Sequence, residues 1–129
     1  MASKKKKILV AEDDRFLSRV YATKLGSEDY EVILALDGEE AVTKIKQELP
    51  DLILLDLVMP KKNGFEVLEL IKKNSATKKI PVIVLSNLGQ DDDVKKATAL
   101  GARDYLIKTN LSIQDVVKKI KSFLVKGKK

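Results

Sequence analysis

The residues of this chain that are best able to do chemistry stand directly after short aliphatic runs. Glu12 and Asp13 follow ILVA, Asp56 follows LILL, Ser86 follows VIVL, and Lys108 follows DYLI. Carboxylates that lie close together raise each other's pKa, and a divalent cation such as Mg²⁺ removes that penalty. Phosphoryl transfer depends on positioning and charge neutralisation, and an aspartate can itself be the nucleophile. If these residues converge, they can carry out phosphoryl transfer to Asp56.

The composition excludes several classes of site. The chain has 129 residues, which fits one domain, and 44% of them are hydrophobic, which suffices for a core. It contains no cysteine and no histidine, which excludes thiolate catalysis, disulfides, a Ser-His-Asp triad and zinc held by either residue. Its apolar runs are too short to span a bilayer. Any site must therefore use carboxylates, lysines, hydroxyls and backbone groups, with or without a hard metal ion.

The net charge of +6 is concentrated at the two ends of the chain. Without the ten lysines of residues 4–7 and 118–129, 15 basic and 19 acidic residues remain, so the body carries a charge of −4. We therefore predict basic tails at residues 1–7 and 125–129, which are either solvated or in nonspecific contact with a polyanion. The start MASKKKK lacks the apolar segment of a signal peptide, which favours a cytoplasmic protein.

Alternating patterns predict the order of the elements. Short runs rich in Ile, Val and Leu predict five parallel strands, at residues 8–11, 30–35, 51–55, 80–85 and 104–107. Apolar residues at helical spacing follow each strand, and the first helical stripe comprises Phe16, Leu17, Val20, Tyr21 and Leu25. The pattern is βα repeated five times. It predicts one α/β domain over residues 1–129, an open, doubly wound parallel sheet with helices on both faces.

Helix start signals support this order. Asp37 with Glu40, Asn63 with Glu66, and Ser112 with Asp115 each place a capping side chain three residues before an acid. We expect Asp14 to cap the first helix, and the acidic run 91–93 to favour the start of the fourth through the helix dipole. Parallel strands all end at the same edge of the sheet, where ligands of open α/β folds bind. The polar residues that follow the strands should therefore converge there.

Four motifs together resemble the receiver domain of two-component response regulators, over essentially the whole chain. They are ILVAEDD, LLDLVMPKKNG, VIVLSN and GARDYLIK. The resemblance implies a flavodoxin-like fold with strand order 2-1-3-4-5. It also implies that the chain is either a stand-alone receiver of the chemotaxis-regulator type or a receiver cut from a longer protein. Since only a basic segment follows the fifth helix, we expect no output domain within these 129 residues.

The resemblance also assigns roles to individual residues. Asp56 matches the phosphoacceptor, while Ser86 and Lys108 match the residues that bind the phosphoryl oxygens. Tyr105 matches an aromatic switch residue that turns inward when the serine is drawn to the phosphate. The implied ligands of Mg²⁺ are Glu12, Asp13, Asp56 and the backbone carbonyl of Val58.

The implied partners are proteins. The phosphoryl donor is a histidine of a sensor kinase or of a histidine phosphotransfer protein, and because this chain has no histidine, that donor must belong to another molecule. The downstream partner is a protein target or a second copy of the chain, bound through the surface of the fourth helix, fifth strand and fifth helix. The chain would catalyse its own phosphorylation and dephosphorylation without turning over an external substrate. We expect no membrane contact and no direct contact with nucleic acid.

Two positions depart from the family's pattern. Thr109 follows Lys108, where the family usually has a proline in a cis peptide bond; we expect a trans bond and a differently shaped loop, because a non-proline cis bond costs about 2.5–4 kcal/mol. Asn87 follows Ser86, where the family often has a smaller residue, and it is expected to narrow access to Asp56.

Other functions remain open from the residues alone. The chain could be a receiver-like interaction module that no longer accepts phosphate. The full acidic set argues against this alternative, but Thr109 in place of the usual proline leaves it open. A phosphatase with an aspartyl nucleophile usually has a second acid two residues on, and Val58 at that position argues against it. Flavin binding on the same architecture is also possible, but the acidic edge disfavours the flavin phosphate unless a metal is present.

Overall fold

Five strands and five α-helices alternate along the chain in this computed structural model, which describes residues 5–126. The strands are β1 (Lys7–Ala11), β2 (Glu31–Ala35), β3 (Leu52–Leu55), β4 (Val82–Ser86) and β5 (Asp104–Ile107). The helices are α1 (Arg15–Ser27), α2 (Gly38–Glu48), α3 (Gly64–Lys73), α4 (Asp91–Ala99) and α5 (Ile113–Lys126). A short 3₁₀ turn, Lys108–Asn110, joins β5 to α5. The predicted element order is confirmed.

The strands form one parallel sheet in the order β2-β1-β3-β4-β5. This is the predicted flavodoxin-like topology, and it makes β1 and β3 neighbours, with Ala11 paired to Leu55 at their carboxyl ends. All residues of β3 and β4 are buried, because helices cover both faces of the sheet. One core cluster lies on each face, and Leu9 and Ile8, which are adjacent in β1, belong to opposite clusters.

Capping side chains begin the helices where the sequence predicted them. The Asp14 carboxylate accepts a hydrogen bond from the Leu17 backbone N–H at 3.0 Å, and the Asp37 carboxylate accepts from Glu40 at 2.8 Å. Asn63 and Ser112 form reciprocal capping boxes with the acids three residues on. The acidic run 91–93 forms the first turn of α4. Local side-chain hydrogen bonds thus set where α1, α2, α3 and α5 begin, whereas α4 begins after Gln90 without a side-chain cap.

Several details differ from the sequence prediction. The strands β2 and β3 begin one residue later than predicted, and β4 begins two residues later. Lys7 lies in β1 and residues 125–126 lie in α5, so ordered elements extend into the predicted tails 1–7 and 125–129. The rest of the N-terminal tail up to residue 4, and residues 127–129, lie outside the described residues. Phe16 belongs to the apolar stripe predicted for the first helix, yet it lies in the first turn of α1 with 78% of it exposed. Within the described chain, none of the helices is long and apolar enough to cross a membrane.

Candidate functional site

The site lies at the carboxyl edge of the two central strands. Glu12 follows the last residue of β1 and Asp56 follows the last residue of β3. The Asp56 backbone N–H donates to the carbonyl of Ala11 at 3.0 Å, which continues the pairing of the two strands by one residue. The sheet therefore places the side chains of Glu12 and Asp56 next to each other.

Three carboxylates share this edge. One carboxylate oxygen from each of Glu12, Asp13 and Asp56 can be chosen so that all three lie within 4.8 Å of one another. Glu12 and Asp56 are buried, with 3% and 6% of their surfaces exposed, whereas Asp13 is exposed. The predicted convergence is observed, and it leaves one side of the cluster open to solvent.

Lys108 lies between the two buried acids. Its Nζ donates to Glu12 Oε1 at 2.6 Å and to Asp56 Oδ2 at 2.9 Å, and its side chain is 16% exposed. Burial raises the pKa of Glu12, although the hydrogen bonds from Lys108 and from the Asp14 backbone act in the opposite direction. Burial also lowers the pKa of Lys108, but its hydrogen bonds with the two carboxylates outweigh that effect, so the Lys108 pKa is raised and the amine stays charged.

Backbone contacts fix the orientation of the carboxylates. The second oxygen of Glu12, Oε2, accepts from the backbone N–H of Asp14 at 3.0 Å, while Asp56 Oδ1 accepts from the N–H of Val58 at 3.3 Å. Gly64 begins α3 against this loop, and a Cβ added there would lie 2.3 Å from the carbonyl oxygen of Asp56. Only glycine permits α3 to start this close to the residue that follows β3.

Ser86 and Tyr105 are connected through the backbone of Leu88. Ser86 is the last residue of β4, one residue further along the strand than the sequence indicated, and it is fully buried. Its hydroxyl oxygen accepts from the Leu88 N–H at 3.3 Å, and the Tyr105 hydroxyl donates to the Leu88 carbonyl. Tyr105 is half-buried, and its inward turn on phosphorylation stays a prediction. The sequence could not reveal the part played by Leu88, since its backbone makes both contacts.

A buried tyrosine beneath the carboxylates was predicted only as part of the α1 core. Tyr21 is 4% exposed and lies close to Glu12 and Asp56. Burial raises the pKa of Tyr21 to about 12; the nearby Lys108 opposes this rise and the two carboxylates add to it. The Tyr21 hydroxyl near the acid site therefore stays protonated at neutral pH. In the sequence Tyr21 belongs to an apolar helical stripe, and such a stripe does not indicate that Tyr21 lies near the acid site.

The donor set fits a magnesium ion by its chemistry and charge. Every carboxylate oxygen is a hard ligand, and Mg²⁺ is usually held by one or two carboxylates and several waters. Three carboxylates and one lysine leave a net charge of −2, which one divalent cation compensates. Asp13, the exposed member of the set, faces solvent, from which water ligands can be supplied.

Comparison with known protein families identifies the family of this chain. The model of the response regulator receiver domain matches residues 8–121. The chain belongs to the response regulator receiver domain family. This receiver domain is thus a component of two-component signalling, in which receivers accept phosphoryl groups.

Relatives support this assignment in sequence and structure. The receiver domain is 40% identical over 124 residues to the probable transcriptional regulator ycf27 of Cyanophora paradoxa, covering 96% of this chain and 50% of that protein. It is 35% identical to the phosphorylated cyanobacterial phytochrome response regulator RcpA, with a TM-score of 0.80 and coverage of 93% and 91%. A CheY-like receiver domain protein from Methanospirillum hungatei superposes with a TM-score of 0.88 at 28% identity, covering 95% of this chain and 96% of that one. The chain spans about half the length of the curated relatives it matches.

The two departures from the family's pattern lie beside the site. Within the described residues every peptide bond is trans, so the bond between Lys108 and Thr109 has the predicted form. Lys108 and Thr109 begin the 3₁₀ turn, and Lys108 still reaches both buried acids. Asn87 is exposed beside the buried Ser86, and its predicted effect on access to Asp56 stays a prediction.

Proposed function

We propose that Asp56 accepts a phosphoryl group from a histidine of a sensor kinase or of a histidine phosphotransfer protein, in a reaction that requires Mg²⁺. One observation carries this proposal: the carboxylates of Glu12, Asp13 and Asp56 lie together with the Lys108 amine on two of them, at one open edge of the sheet. This arrangement holds a nucleophile, a cation site and a positive charge in one place.

The proposed ligands of Mg²⁺ are the carboxylates of Glu12, Asp13 and Asp56 and the backbone carbonyl of Val58. When bound, the ion neutralises the carboxylates and the negative oxygens of the phosphoryl group. Asp13 is the exposed member of the set, so it is the side from which the ion and the phosphoryl donor approach. Burial of Glu12 raises its pKa, and an added cation favours its charged form.

The transfer exchanges one bond to phosphorus for another. A carboxylate oxygen of Asp56 attacks the phosphorus, the bond from phosphorus to the donor imidazole nitrogen breaks, and its electron pair returns to the imidazole. Lys108, which donates to Asp56 Oδ2 at 2.9 Å, then binds a phosphoryl oxygen while it keeps its bond to Glu12. The Ser86 hydroxyl, which lies at the end of β4, donates to another phosphoryl oxygen.

In this proposal the backbone of Leu88 transmits the change at Ser86 to Tyr105. The Ser86 oxygen and the Tyr105 hydroxyl both contact the backbone of Leu88, so movement of Ser86 toward a phosphoryl oxygen shifts the loop on which the tyrosine is held. The affected surface consists of α4, β5 and α5, and it binds a downstream protein or a second copy of the chain. Phosphorylation shifts this equilibrium only by the difference in its binding energy between the two states.

The proposal is tested by intact-mass analysis after incubation with acetyl phosphate, with Mg²⁺ and with EDTA. We expect a gain of one phosphoryl mass that requires Mg²⁺ and is absent in Asp56→Asn. The matched control is Asp91→Asn, which removes an exposed acid of α4 and should be phosphorylated like the parent. No gain in any condition would favour the phosphate-independent interaction module. Sustained release of phosphate from a generic ester would instead favour the phosphatase.

The proposal also places the protein in the cytoplasm, where a kinase that uses ATP would supply the phosphoryl group. It includes no direct contact with nucleic acid for this domain. Fractionation of the native host tests the location, because recovery in an extracellular fraction would contradict it.

A further inference from the structure

A second concave site lies at the opposite, amino edge of the sheet. It is a pocket of about 460 Å³, which we call the amino-edge pocket. Its volume is within the usual range for small-molecule sites, about 300–1,000 Å³. The lining residues are Lys6, Asp51, Lys79, Pro81, Arg103, Phe123 and Leu124.

The register of the sheet assembles this pocket. Lys6, Asp51, Pro81 and Arg103 each stand one residue before a strand, at β1, β3, β4 and β5 respectively. Backbone hydrogen bonds hold these positions, since Asp51 donates to the Lys7 carbonyl and Arg103 donates to the Val82 carbonyl, both at 2.8 Å. These four residues stand in the loops that enter the strands, and their backbone bonds to neighbouring strands favour a fixed arrangement of this side of the pocket.

The charges in the pocket are predominantly positive. Lys6, Lys79 and Arg103 supply three cations, and within residues 5–126 none of them forms an ion pair with a carboxylate. Asp51 is the acid of the pocket, and its carboxylate accepts a hydrogen bond from the Lys7 backbone N–H at 2.7 Å. The pocket thus has a net charge of +2, with cations available to an incoming ligand.

Neighbouring residues add to the positive potential. Lys72 donates to the carbonyls of Lys78 and Ile80, at 3.0 and 2.9 Å, on the segment that leads into β4. Its pKa is lowered, first by burial and then by the charge of Arg103, which indicates that the two cations are close. An anion is therefore attracted to this edge of the domain.

The pocket also has an apolar floor. Pro81, Phe123 and Leu124 line it, and Leu124 is 8% exposed, whereas Phe123 is half-buried and offers part of its ring. We propose that the amino-edge pocket binds a small organic phosphate that carries two or more negative groups and a ring or alkyl portion, such as a nucleoside diphosphate. Lys6, Lys79 and Arg103 bind the phosphate oxygens, and the organic portion rests on the three apolar side chains.

This ligand site is separate from the phosphoacceptor. The strands that connect the two edges are four or five residues long, which corresponds to roughly 15 Å at about 3.3 Å per residue. Binding in the amino-edge pocket therefore requires neither Asp56 nor Mg²⁺. It is independent of the function proposed above, and one can fail without the other.

Isothermal titration calorimetry with ADP and with inorganic pyrophosphate, both in EDTA at low ionic strength, tests the proposal. We expect ADP to bind more tightly than pyrophosphate, because only ADP contacts the apolar floor. Arg103→Gln and Lys79→Gln should each weaken ADP binding by roughly 10- to 100-fold, the usual effect of losing a charged hydrogen bond. Lys95→Gln, an exposed lysine of α4, and Asp56→Asn should bind ADP like the parent, and circular dichroism establishes that each variant is folded.

Three results would overturn the proposal. The first is no ADP binding by the parent. The second is an equal loss of ADP affinity in Lys95→Gln and Arg103→Gln. The third is binding of a single-stranded oligonucleotide that ADP does not displace, which would make this edge a nonspecific surface for polyanions rather than a pocket for a small ligand.

Discussion

Replacing Lys108 with methionine tests the electrostatic balance of the acid site. The amine donates to Glu12 at 2.6 Å and to Asp56 at 2.9 Å, and these two side chains are only 4% and 7% exposed. Methionine fills a similar space but carries no charge, so two buried carboxylates lose their common counterion. Lys73→Met is the matched control, because Lys73 pairs with Glu69 at 3.1 Å while its side chain is 71% exposed.

The magnitude follows from burial. Removing one partner of a buried ion pair costs about 3–5 kcal/mol, and because Lys108 is itself 16% exposed we expect the lower end, about 3 kcal/mol in EDTA. The control pair is exposed, so Lys73→Met should cost less than about 1 kcal/mol. The charge of the site changes from −2 to −3, so Mg²⁺ should bind on the order of 10- to 100-fold more tightly to Lys108→Met than to the parent.

The pH dependence has a defined sign. Burial raises the pKa of Glu12 and the Lys108 hydrogen bond lowers it, so the pKa rises further when the amine is removed. An acid that binds its proton more tightly in the folded state contributes stability at low pH and loses that contribution as the pH rises through the folded pKa. The free energy of unfolding of Lys108→Met should therefore come closer to that of the parent as the pH falls through the raised pKa of Glu12.

Urea unfolding in EDTA and in Mg²⁺, across this range of pH, measures all three effects. The reasoning would be refuted if Lys108→Met were as stable as the parent in EDTA, or if added Mg²⁺ stabilised the parent more than the variant. Equal losses of stability in Lys108→Met and Lys73→Met would show that burial of the acids does not increase the cost of removing their counterion.

Three further predictions concern packing and titration. Gly64→Ala places a Cβ 2.3 Å from the Asp56 carbonyl oxygen and should destabilise the domain by about 1–3 kcal/mol in urea unfolding, whereas Gly26→Ala, with open space around its Cβ, should be neutral or stabilising. Because burial raises the pKa of Tyr21 to about 12, Tyr21 should lower stability by about 2–3 kcal/mol as the pH rises from 10 to 12; Tyr21→Phe should make the slope of stability shallower by this amount, and an unchanged slope would contradict the assignment. Tyr105→Phe should cost about 0.5–1.5 kcal/mol and weaken the effect of beryllofluoride on partner binding or dimerisation, and a variant that still responds fully would exclude the tyrosine from the switch.

The sequence predicted the fold and the convergence of the acids because both depend on periodicity. Short aliphatic runs that alternate with helical stripes permit few arrangements, and parallel strands bring the residues after each strand to one edge. Glu12 and Asp56 could therefore be placed together before their distance was known. The helix starts at Asp14, Asp37 and Asn63 were predictable for a different reason, since a capping bond is local.

What the sequence could not predict depends on side-chain direction and on backbone contacts. The lysine after β5 was identifiable, but its bond to Glu12 depends on how the 3₁₀ turn directs its side chain. Leu88 connects Ser86 to Tyr105 through backbone atoms that every residue has. Phe16 is 78% exposed in the first turn of α1, although helical spacing places it in the apolar stripe of that helix.

The central claim is that the acid cluster directs phosphorylation to Asp56 with the help of Mg²⁺. Its most direct test is to phosphorylate the parent with acetyl phosphate, reduce the acyl phosphate with borohydride, and map the converted residue by peptide mass spectrometry. We expect homoserine at position 56 alone, and only in samples that contained Mg²⁺. Conversion of another acid, or the same yield at Asp56 in EDTA, would contradict the claim.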